Sequence, residues 1–299
     1  MKKKRAIRLT TEDYVMNALT SAVVILCFIV TLYPLWYCLV YALNDGIDAI
    51  KGGLYFWPRV FSLENFQTVV KNQNILNAYA MTVARTVAGT VLSLAVMMAG
   101  SYALTKKDLM FRKFYTALFI ISMYFGGGIV PYYLLLRDLH LLNTFWVYIL
   151  PGLAGYFNML LIMAFIRQLP SALEDSAMID GAGPARIFLQ IIVPLSKPII
   201  ATVAMFVAVG HWNDWFSTAY YTNSPRLMTI STYLTKLIQE EVAKASVASR
   251  MENSVSKQML ATQSLKYAAL IITILPIITI YPFAQKFFVK GMMVGSVKA

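Results

Sequence analysis

Charged residues are scarce in this chain, at 13% of its 299 residues, whereas a soluble domain carries about 25%. Cysteine and histidine are scarcer still, with two of each. Cys27 and Cys38 lie in one apolar segment, where a helix would separate them by about 16 Å, which is beyond disulfide reach. The two histidines, His140 and His211, have no cysteine nearby in the sequence. The sequence therefore predicts neither a disulfide framework nor a zinc site.

The motifs of nucleotide-binding and catalytic proteins are also missing. No G-x-x-x-x-G-K-[ST] loop is present, and the glycine run at 126–128 leads into Ile-Val-Pro without a lysine or hydroxyl to meet a phosphate. Two pairs are candidates for acid–base chemistry, Glu174 with Asp175 and His211 with Asp214. Neither pair comes with a nucleophile. We expect no catalytic residue, metal or cofactor in this chain.

Apolar segments make up most of the sequence. Hydrophobic residues account for 59% of it and the mean hydropathy is +0.62. A bilayer core about 30 Å thick requires roughly 20 apolar residues per helix. The sequence predicts an all-α membrane protein with six transmembrane helices, and no cleavable signal peptide. The six segments are 18–43, 76–104, 114–136, 144–166, 198–220 and 266–288.

The distribution of basic residues predicts the orientation. Six spans put both ends of the chain on one side, and with both termini cytoplasmic the cytoplasmic segments hold 15 of the 26 basic residues. Nucleic-acid binding would also suit the net charge of +12, but it does not explain six apolar segments, so we expect no nucleic-acid partner. The predicted organisation is a cytoplasmic segment 1–17, a first helix 18–43, an outer loop 44–75, a five-helix domain 76–290 and a cytoplasmic tail 291–299.

A polar hairpin is predicted at 167–197, on the cytoplasmic side between the fourth and fifth spans. A capping box begins its first helix, glycines able to adopt the left-handed conformation end it, and prolines begin and end its second helix. The residues are Ser171 with Glu174, then Gly181 and Gly183, then Pro184 and Pro194. Helices of about nine residues are marginal alone in water. The 167–197 hairpin therefore needs something to dock against.

The same segment resembles the EAA signature of permease subunits in bacterial binding-protein-dependent ABC importers. That signature reads E-A-A, three residues, glycine, nine residues, then I-x-L-P. This chain has D-S-A at the start and I-I-V-P at the end, so Asp replaces Glu, Ser replaces Ala and Val replaces Leu. The resemblance implies that the hairpin docks into an ATPase subunit and couples it to transport. The residues concerned are Glu174, Asp175, Ser176, Ala177, Asp180, Gly181, Ile191 and Pro194.

Other runs extend the resemblance: YFGGGIVPYYLL at 124–135, LLNT at 141–144, ILPG at 149–152, QKFFVKG at 285–291 and GSVK at 295–298. They resemble the second permease of carbohydrate importers, in the branch that handles oligosaccharides or polysaccharide fragments in Gram-positive bacteria. The resemblance implies a type I ABC importer permease fold in the cell membrane, forming half of the translocation pathway. It also implies a second homologous permease chain, two ATP-binding subunits that hold ATP and Mg²⁺, an extracytoplasmic solute-binding lipoprotein and an oligosaccharide substrate.

The longest outer segment is predicted at 221–265. Its apolar residues suggest two amphipathic helical pieces, which rest on the outer membrane face or on a partner such as the binding protein, or else form a lid over the bundle. The first piece contains Leu227, Ile230, Leu234, Leu237, Ile238 and Val242, and the second contains Val247, Met251, Val255 and Met259.

A polar-aromatic cluster in the fifth span is the main candidate for the substrate path. It consists of His211, Trp212, Asn213 and Asp214. Polar groups buried in a membrane are costly and are often functional, and aromatic rings stack well on sugars. Packing between helices and anchoring at the membrane interface are the alternatives.

Three further residues within the predicted spans each have two or more possible roles. Gly127, in the triple glycine, indicates either a broken helix beside a pathway or close helix packing. Asn158 is a candidate ligand or an interhelical hydrogen-bonding group. Arg85 is expected to form an internal ion pair, to extend toward the interface, or to contact an acidic sugar.

Other functions remain open. An ion-coupled secondary transporter would need inverted repeats and ionisable groups near the midplane, and the sequence has no obvious repeat. An ABC importer permease for a non-sugar solute would have the same architecture. A membrane-embedded enzyme would need converging acids or a nucleophile.

Overall fold

The computed structural model describes residues 10–49, 51–248 and 264–282, without the side chains of 241–248. Over these residues the chain is helical, with one isolated β-bridge between Asn44 and Phe61. The α-helices are α1 Thr11–Ala42, α2 Gly46–Ala49, α3 Glu64–Lys71, α4 Gln73–Thr105, α5 Arg112–Tyr124, α6 Ile129–Asp138, α7 Tyr156–Ile166, α8 Ala172–Ile179, α9 Pro184–Ile187, α10 Val193–Leu195, α11 Lys197–Asn213, α12 Phe216–Tyr221, α13 Ile230–Ala248 and α14 Ser264–Pro282. Turns of 3₁₀ helix lie at Phe145–Tyr148, Leu150–Gly152 and Pro225–Leu227, and a π-helical turn lies at Phe188–Ile192.

Three of the described helices, α1, α4 and α14, are long and apolar enough to cross a membrane. Two bent pairs would raise the number to five if each were one span. Phe145–Gly152 meets α7 at 48°, and Pro184–Leu195 meets α11 at 79°. The all-helical prediction is confirmed over the described residues, with α4 starting three residues before the predicted boundary. The predicted sixth span continues to 288, which lies outside them.

The predicted third span is broken at its glycines. Helix α5 ends at Tyr124, and α6 begins at Ile129. Gly127 lies in the intervening stretch, and Gly128 has a φ of +81°. A side chain at Gly126 or Gly128 would meet no atom within 4 Å. The broken helix is therefore confirmed, and close packing at these glycines is not found in the described part of the chain.

The predicted outer loop 221–265 contains helix where the structure describes it. Helix α13 carries the first amphipathic piece from Ile230 onward, whereas Leu227 lies in the preceding 3₁₀ turn. Met251, Val255 and Met259 of the second piece lie outside the described residues.

The chain divides into two compact units, residues 1–71 with 241–272 and residues 72–240 with 273–299. In the first unit, Asn44 and Asp48 organise the loop after α1. The Asn44 Oδ1 accepts hydrogen bonds from the backbone N–H groups of Arg59 and Val60, at 2.8 and 3.0 Å. Asp48 pairs with Arg59 at 2.9 Å and with Lys51 at 3.0 Å. Its hydrogen bonds to Arg59, Lys51 and Asn44 lower the pKa of Asp48 to about 2, so this carboxylate stays charged at physiological pH. Cys27 and Cys38 in α1 are free.

In the second unit, α4, α7 and α11 pack around one apolar core. The Ser101 hydroxyl of α4 donates a hydrogen bond to the Met159 carbonyl of α7 at 3.2 Å, and small or weakly polar residues of this kind let membrane helices approach closely. Three hairpin residues, Ala177, Ile187 and Ile192, are buried in the same core. The hairpin is thus anchored to the bundle by its inner face. Other members of this core are Met97, Met98, Tyr102, Leu104, Tyr156, Ile162, Met163, Ile166 and Val203.

Candidate functional site

The turn of the 167–197 hairpin is a complete Schellman motif. Gly181 follows α8 with a φ of +78°, a conformation that glycine adopts without steric cost. Its N–H donates to the Met178 carbonyl at 3.0 Å, and the Ala182 N–H donates to the Ala177 carbonyl at 2.9 Å, which is the hydrogen-bond pattern of this motif. The prediction for Gly181 is confirmed. Gly183 has an ordinary φ of −74° and precedes Pro184, the first residue of α9.

The predicted capping box is wrong. Ser171 has helical dihedral angles, and its side chain forms no capping hydrogen bond. The Glu174 carboxylate instead pairs with the ammonium group of Lys106, just beyond the end of α4. An ion pair with Lys106 joins two opposite full charges, whereas the capping bond would join the carboxylate to an uncharged N–H, so Glu174 turns away from the helix start.

The second helix of the hairpin runs past Pro194, contrary to prediction. The π-helical turn at Phe188–Ile192 leads into α10, which contains Pro194 near its start. Proline lacks an N–H group but is tolerated in a first helical turn. The helix ends at Leu195, and the chain bends by 79° around the fully buried Ser196.

Lys106 connects the hairpin to α4. It pairs with Glu174, and its Nζ lies 4.4 Å from the centre of the Tyr102 ring. The Tyr102 ring in turn lies 5.2 Å from the ring of Phe188 in the second helix of the hairpin. Burial acts to lower the pKa of Lys106, but its hydrogen bonds to Glu174 and Tyr102 outweigh this and raise the pKa. The ion pair therefore persists across physiological pH.

Removing this ion pair should loosen the hairpin. We expect Lys106→Met to lower the local free energy of opening by about 1–2 kcal/mol, because the pair is only partly exposed. Amide hydrogen exchange at Ala177–Ala182 should then speed up roughly 5- to 30-fold.

The matched control for this prediction is Lys107→Met, which removes a neighbouring exposed lysine and should leave exchange unchanged. The charge-swapped double variant, Lys106→Glu with Glu174→Lys, should restore most of the protection against amide hydrogen exchange. Equal exchange in Lys106→Met and the native chain would contradict the prediction.

The tip of the hairpin exposes large apolar side chains next to the exposed Asp180. Ile179 is 87% exposed, and Leu173 and Met178 are exposed beside it. The other residues of the resemblance differ in burial. Asp175, Ser176, Asp180, Gly181 and Pro194 are exposed, Glu174 and Ile191 are partly buried, and Ala177 is buried.

A second site lies among α4, α6, α7, α11, α12 and the 3₁₀ turns at Phe145–Tyr148 and Leu150–Gly152. It is a cavity of about 490 Å³, which we call the tyrosine cavity. The rings of Tyr132, Tyr148, Tyr221 and Phe216 line it together with the polar side chains of Arg85, Asn158, His211, Asp214 and Ser217.

A buried ion pair fixes one wall of the tyrosine cavity. Arg85 is 1% exposed, and its Nη2 lies 2.6 Å from Oδ2 of Asp214. Its Nη1 donates to the Asp214 backbone carbonyl at 3.1 Å, and its guanidinium carbon lies 4.3 Å from the centre of the Tyr148 ring. The other carboxylate oxygen of Asp214 accepts the Ser217 N–H at 3.0 Å. Among the three expectations for Arg85, the internal ion pair is confirmed.

The imidazole ring of His211 in α11 packs directly against Gly89 of α4. A side chain added at Gly89 would place its Cβ 2.3 Å from His211 Nε2, so only glycine leaves room for the imidazole ring. The ring thereby reaches the tyrosine cavity.

The structure separates the predicted substrate-path residues into two groups. His211, Asp214 and Asn158 line the tyrosine cavity. Trp212 is buried elsewhere, with its Nε1 donating to the Thr273 carbonyl at 3.2 Å and its ring 5.6 Å from that of Tyr79. Packing between helices is therefore confirmed for Trp212. Asn213 is exposed and does not line the cavity, and neither does Gly127.

Sequence reasoning missed several residues of these sites. In the sequence, Lys106 is only one of the basic residues that indicate orientation, and nothing distinguishes Tyr132, Tyr148 and Tyr221 among the 18 tyrosines. One available signal was Arg85, because a cation inside an apolar span requires an anionic partner. Among the described residues, no group of three or more His, Cys, Asp or Glu side chains could hold a metal ion.

Comparison with known proteins places this chain in a family. A family model described as "Binding-protein-dependent transport system inner membrane component" matches residues 91–294. Protein LplC of Bacillus subtilis strain 168 is 35% identical over 269 residues, which cover 90% of each chain. The polygalacturonan/rhamnogalacturonan transport system permease protein YtcP of the same strain is 33% identical, over 81% of this chain and 83% of the relative.

A solved structure is also similar. A chain of a bacterial ABC transporter involved in the import of the acidic polysaccharide alginate matches with a TM-score of 0.83 and 26% identity, over 95% of this chain and all of that one. The fold is thus the type I ABC importer permease fold expected above. The chain belongs to the family of inner membrane components of binding-protein-dependent transport systems.

Proposed function

We propose that this chain is the transmembrane permease subunit of an ATP-driven oligosaccharide importer, in which it forms half of the translocation pathway. Family membership supports the transport role. Similarity to the permease YtcP, and to a chain of an alginate importer, supports a carbohydrate substrate.

The observation that carries the proposal is the construction of the 167–197 hairpin. Its inner face is buried in the bundle core through Ala177 and Ile187, its turn is fixed around Gly181, and its tip exposes Ile179. An apolar tip on a rigid support is typical of a protein-binding surface. In our proposal an ATPase subunit binds this tip. The subunit holds ATP and Mg²⁺ and moves the hairpin as it closes.

The proposed topology has six crossings and both termini in the cytoplasm. The crossings are α1, α4, the broken pair α5 and α6, the bent segment 145–166, α11 and α14. This arrangement puts the hairpin on the cytoplasmic side, together with the basic residues of 106–113. The proposed location is the cell membrane.

The proposed complex contains three kinds of partner. A pair of ATPase subunits offers two docking clefts and each permease offers one hairpin, so a second homologous permease chain is required. An extracytoplasmic solute-binding lipoprotein delivers the oligosaccharide, and the segment 221–265 is its candidate contact. The alternative of an ion-coupled secondary transporter is not favoured, because the family consists of components of binding-protein-dependent transport systems. A non-sugar solute is the remaining alternative, and the aromatic and polar lining of the tyrosine cavity favours a sugar.

Uptake by the reconstituted complex tests the function. We expect proteoliposomes that contain both permeases, the ATPase and the binding protein to take up oligosaccharide only with ATP. Ile179→Asp should insert into the membrane but lose ATPase co-purification and reduce uptake more than tenfold, because a charge enters an apolar contact.

The control is Ile47→Asp, at a residue that is 75% exposed in the first outer loop and should retain both activities. Uptake driven by an ion gradient without ATP, or normal coupling in Ile179→Asp, would overturn the proposal.

A further inference from the structure

The tyrosine cavity has the size and lining of a sugar-binding site. We propose that it binds one uncharged glycosyl unit of the transported oligosaccharide, with Tyr132, His211 and Asn158 as ligands. This inference depends on the proposed function and names the substrate class at one position along the path. The volume of about 490 Å³ lies within the range of about 300–1,000 Å³ that is typical of small-molecule sites.

Aromatic rings supply the apolar surface. The ring of Tyr132 lies 5.8 Å from that of Tyr221, and the ring of Phe216 lies 5.8 Å from Tyr221 at a nearly perpendicular angle of 80°. Tyr132 remains 37% exposed. Such rings offer a flat apolar face together with hydroxyl groups at their edges, which suits the C–H face and the hydroxyl rim of a sugar ring.

Unused hydrogen-bonding groups surround these rings. The side chains of Tyr132, Tyr221, His211 and Asn158 form no hydrogen bond with another residue in the described part of the chain. Partly enclosed polar groups normally have partners. A ligand rich in hydroxyl groups can supply both donors and acceptors to all four.

The charges of the cavity wall are already neutralised. Both terminal nitrogens of Arg85 donate to Asp214, and each carboxylate oxygen of Asp214 accepts one hydrogen bond, from Arg85 or from the Ser217 N–H. The remaining Nε atom of Arg85 is enclosed and has no accessible surface for a ligand. A carboxylate could take Arg85 as its partner only by displacing Asp214, and without such a partner a charge that leaves water is costly.

An acidic sugar is therefore the alternative that must be tested. YtcP and the alginate transporter are both named for acidic polysaccharides. In this chain, Arg85 is not available to bind a uronate carboxylate. The cavity accordingly selects an uncharged unit, whatever groups the rest of the oligosaccharide carries.

Protection of a reporter thiol tests the site directly. The complete importer is placed in nanodiscs. In it, this chain carries the reporter Ser217→Cys, and its own cysteines are removed by Cys27→Ala and Cys38→Ala. Mass spectrometry follows the labelling of residue 217 by N-ethylmaleimide. The assay runs at pH 8, where an ordinary imidazole is neutral. The probes are neutral trisaccharides of glucose, galactose and xylose, and the trimers of galacturonate and mannuronate. Uptake of each probe is measured in parallel.

We expect at least one neutral trimer to slow labelling more than fivefold and the uronate trimers to slow it less than twofold. Tyr132→Leu should raise the half-protecting concentration roughly threefold to tenfold, because one stacking ring is lost. Tyr124→Leu, at an exposed tyrosine that does not line the cavity, should leave it unchanged.

The outcomes separate the two proposals. A uronate trimer that protects as well as any neutral trimer overturns the charge assignment, and uptake of a neutral probe without protection overturns the site. If no probe is taken up with ATP, the oligosaccharide function itself is wrong, and this inference falls with it.

Discussion

Replacing Gly181 with proline is expected to reduce uptake more than tenfold while ATP hydrolysis by the complex continues. Proline fixes φ near −65° and has no N–H group, whereas Gly181 has a φ of +78° and donates its N–H to the Met178 carbonyl. The turn cannot form, at a cost of about 3 kcal/mol or more. The chain should still insert into the membrane, because the substitution lies outside every predicted span.

Alanine substitutions provide a matched comparison for this turn. Gly181→Ala should cost about 1–2 kcal/mol, because an L-residue is strained at this φ. Gly183→Ala should be neutral, because its φ of −74° suits alanine and an added Cβ would meet nothing within 4 Å. The measurements are uptake per ATP hydrolysed and hydrogen exchange of the hairpin. Full coupling in Gly181→Pro would rule out the coupling role of the hairpin.

Removing Arg85 should produce the largest loss of stability. Arg85→Met leaves the Asp214 carboxylate without its cation, and breaking a buried pair in this way costs about 3–5 kcal/mol. Asp214 is 26% exposed, so we expect the lower end of that range. The measurement is thermal unfolding of the purified chain in nanodiscs, compared with Asp214→Asn and with the double variant.

A double-mutant cycle separates this pair from general damage. The coupling energy between Arg85 and Asp214 should be about 2–3 kcal/mol. Arg137 and Asp138 form an exposed pair that serves as the control and should give less than about 0.5 kcal/mol. A coupling energy below about 1 kcal/mol between Arg85 and Asp214 would show that the pair does not hold the cavity wall.

Local sequence signals predicted the turn at Gly181, and they gave a broken span as one of two readings of the glycine run at 126–128. Gly181 and the glycine run at 126–128 act through backbone conformation, which depends on the residue itself. The capping box failed for the opposite reason. Glu174 had a stronger partner in Lys106, which is 68 positions away, and no local pattern reveals such a contact.

The tyrosine cavity could be predicted only in part. Arg85 and Asp214 were noticeable because ionisable groups are rare in apolar spans, yet their pairing joins residues 129 positions apart. Tyrosine is common in this chain, and its ordinary place at a membrane interface hides the few rings that converge. Trp212 and Asn213 were grouped with His211 by sequence adjacency, but successive helical residues point in different directions.

Helix α4 contacts both the 167–197 hairpin and the tyrosine cavity. It runs from Gln73 to Thr105 without a proline, with Arg85 within it and Lys106 immediately after it. Arg85 and Lys106 are 21 positions apart, which corresponds to about 32 Å of helical rise. Because α4 has no proline kink, we expect it to move as one body, so that a displacement at Lys106 also shifts Arg85. In the proposed importer, movement of the hairpin and rearrangement of the tyrosine cavity are therefore expected to occur together.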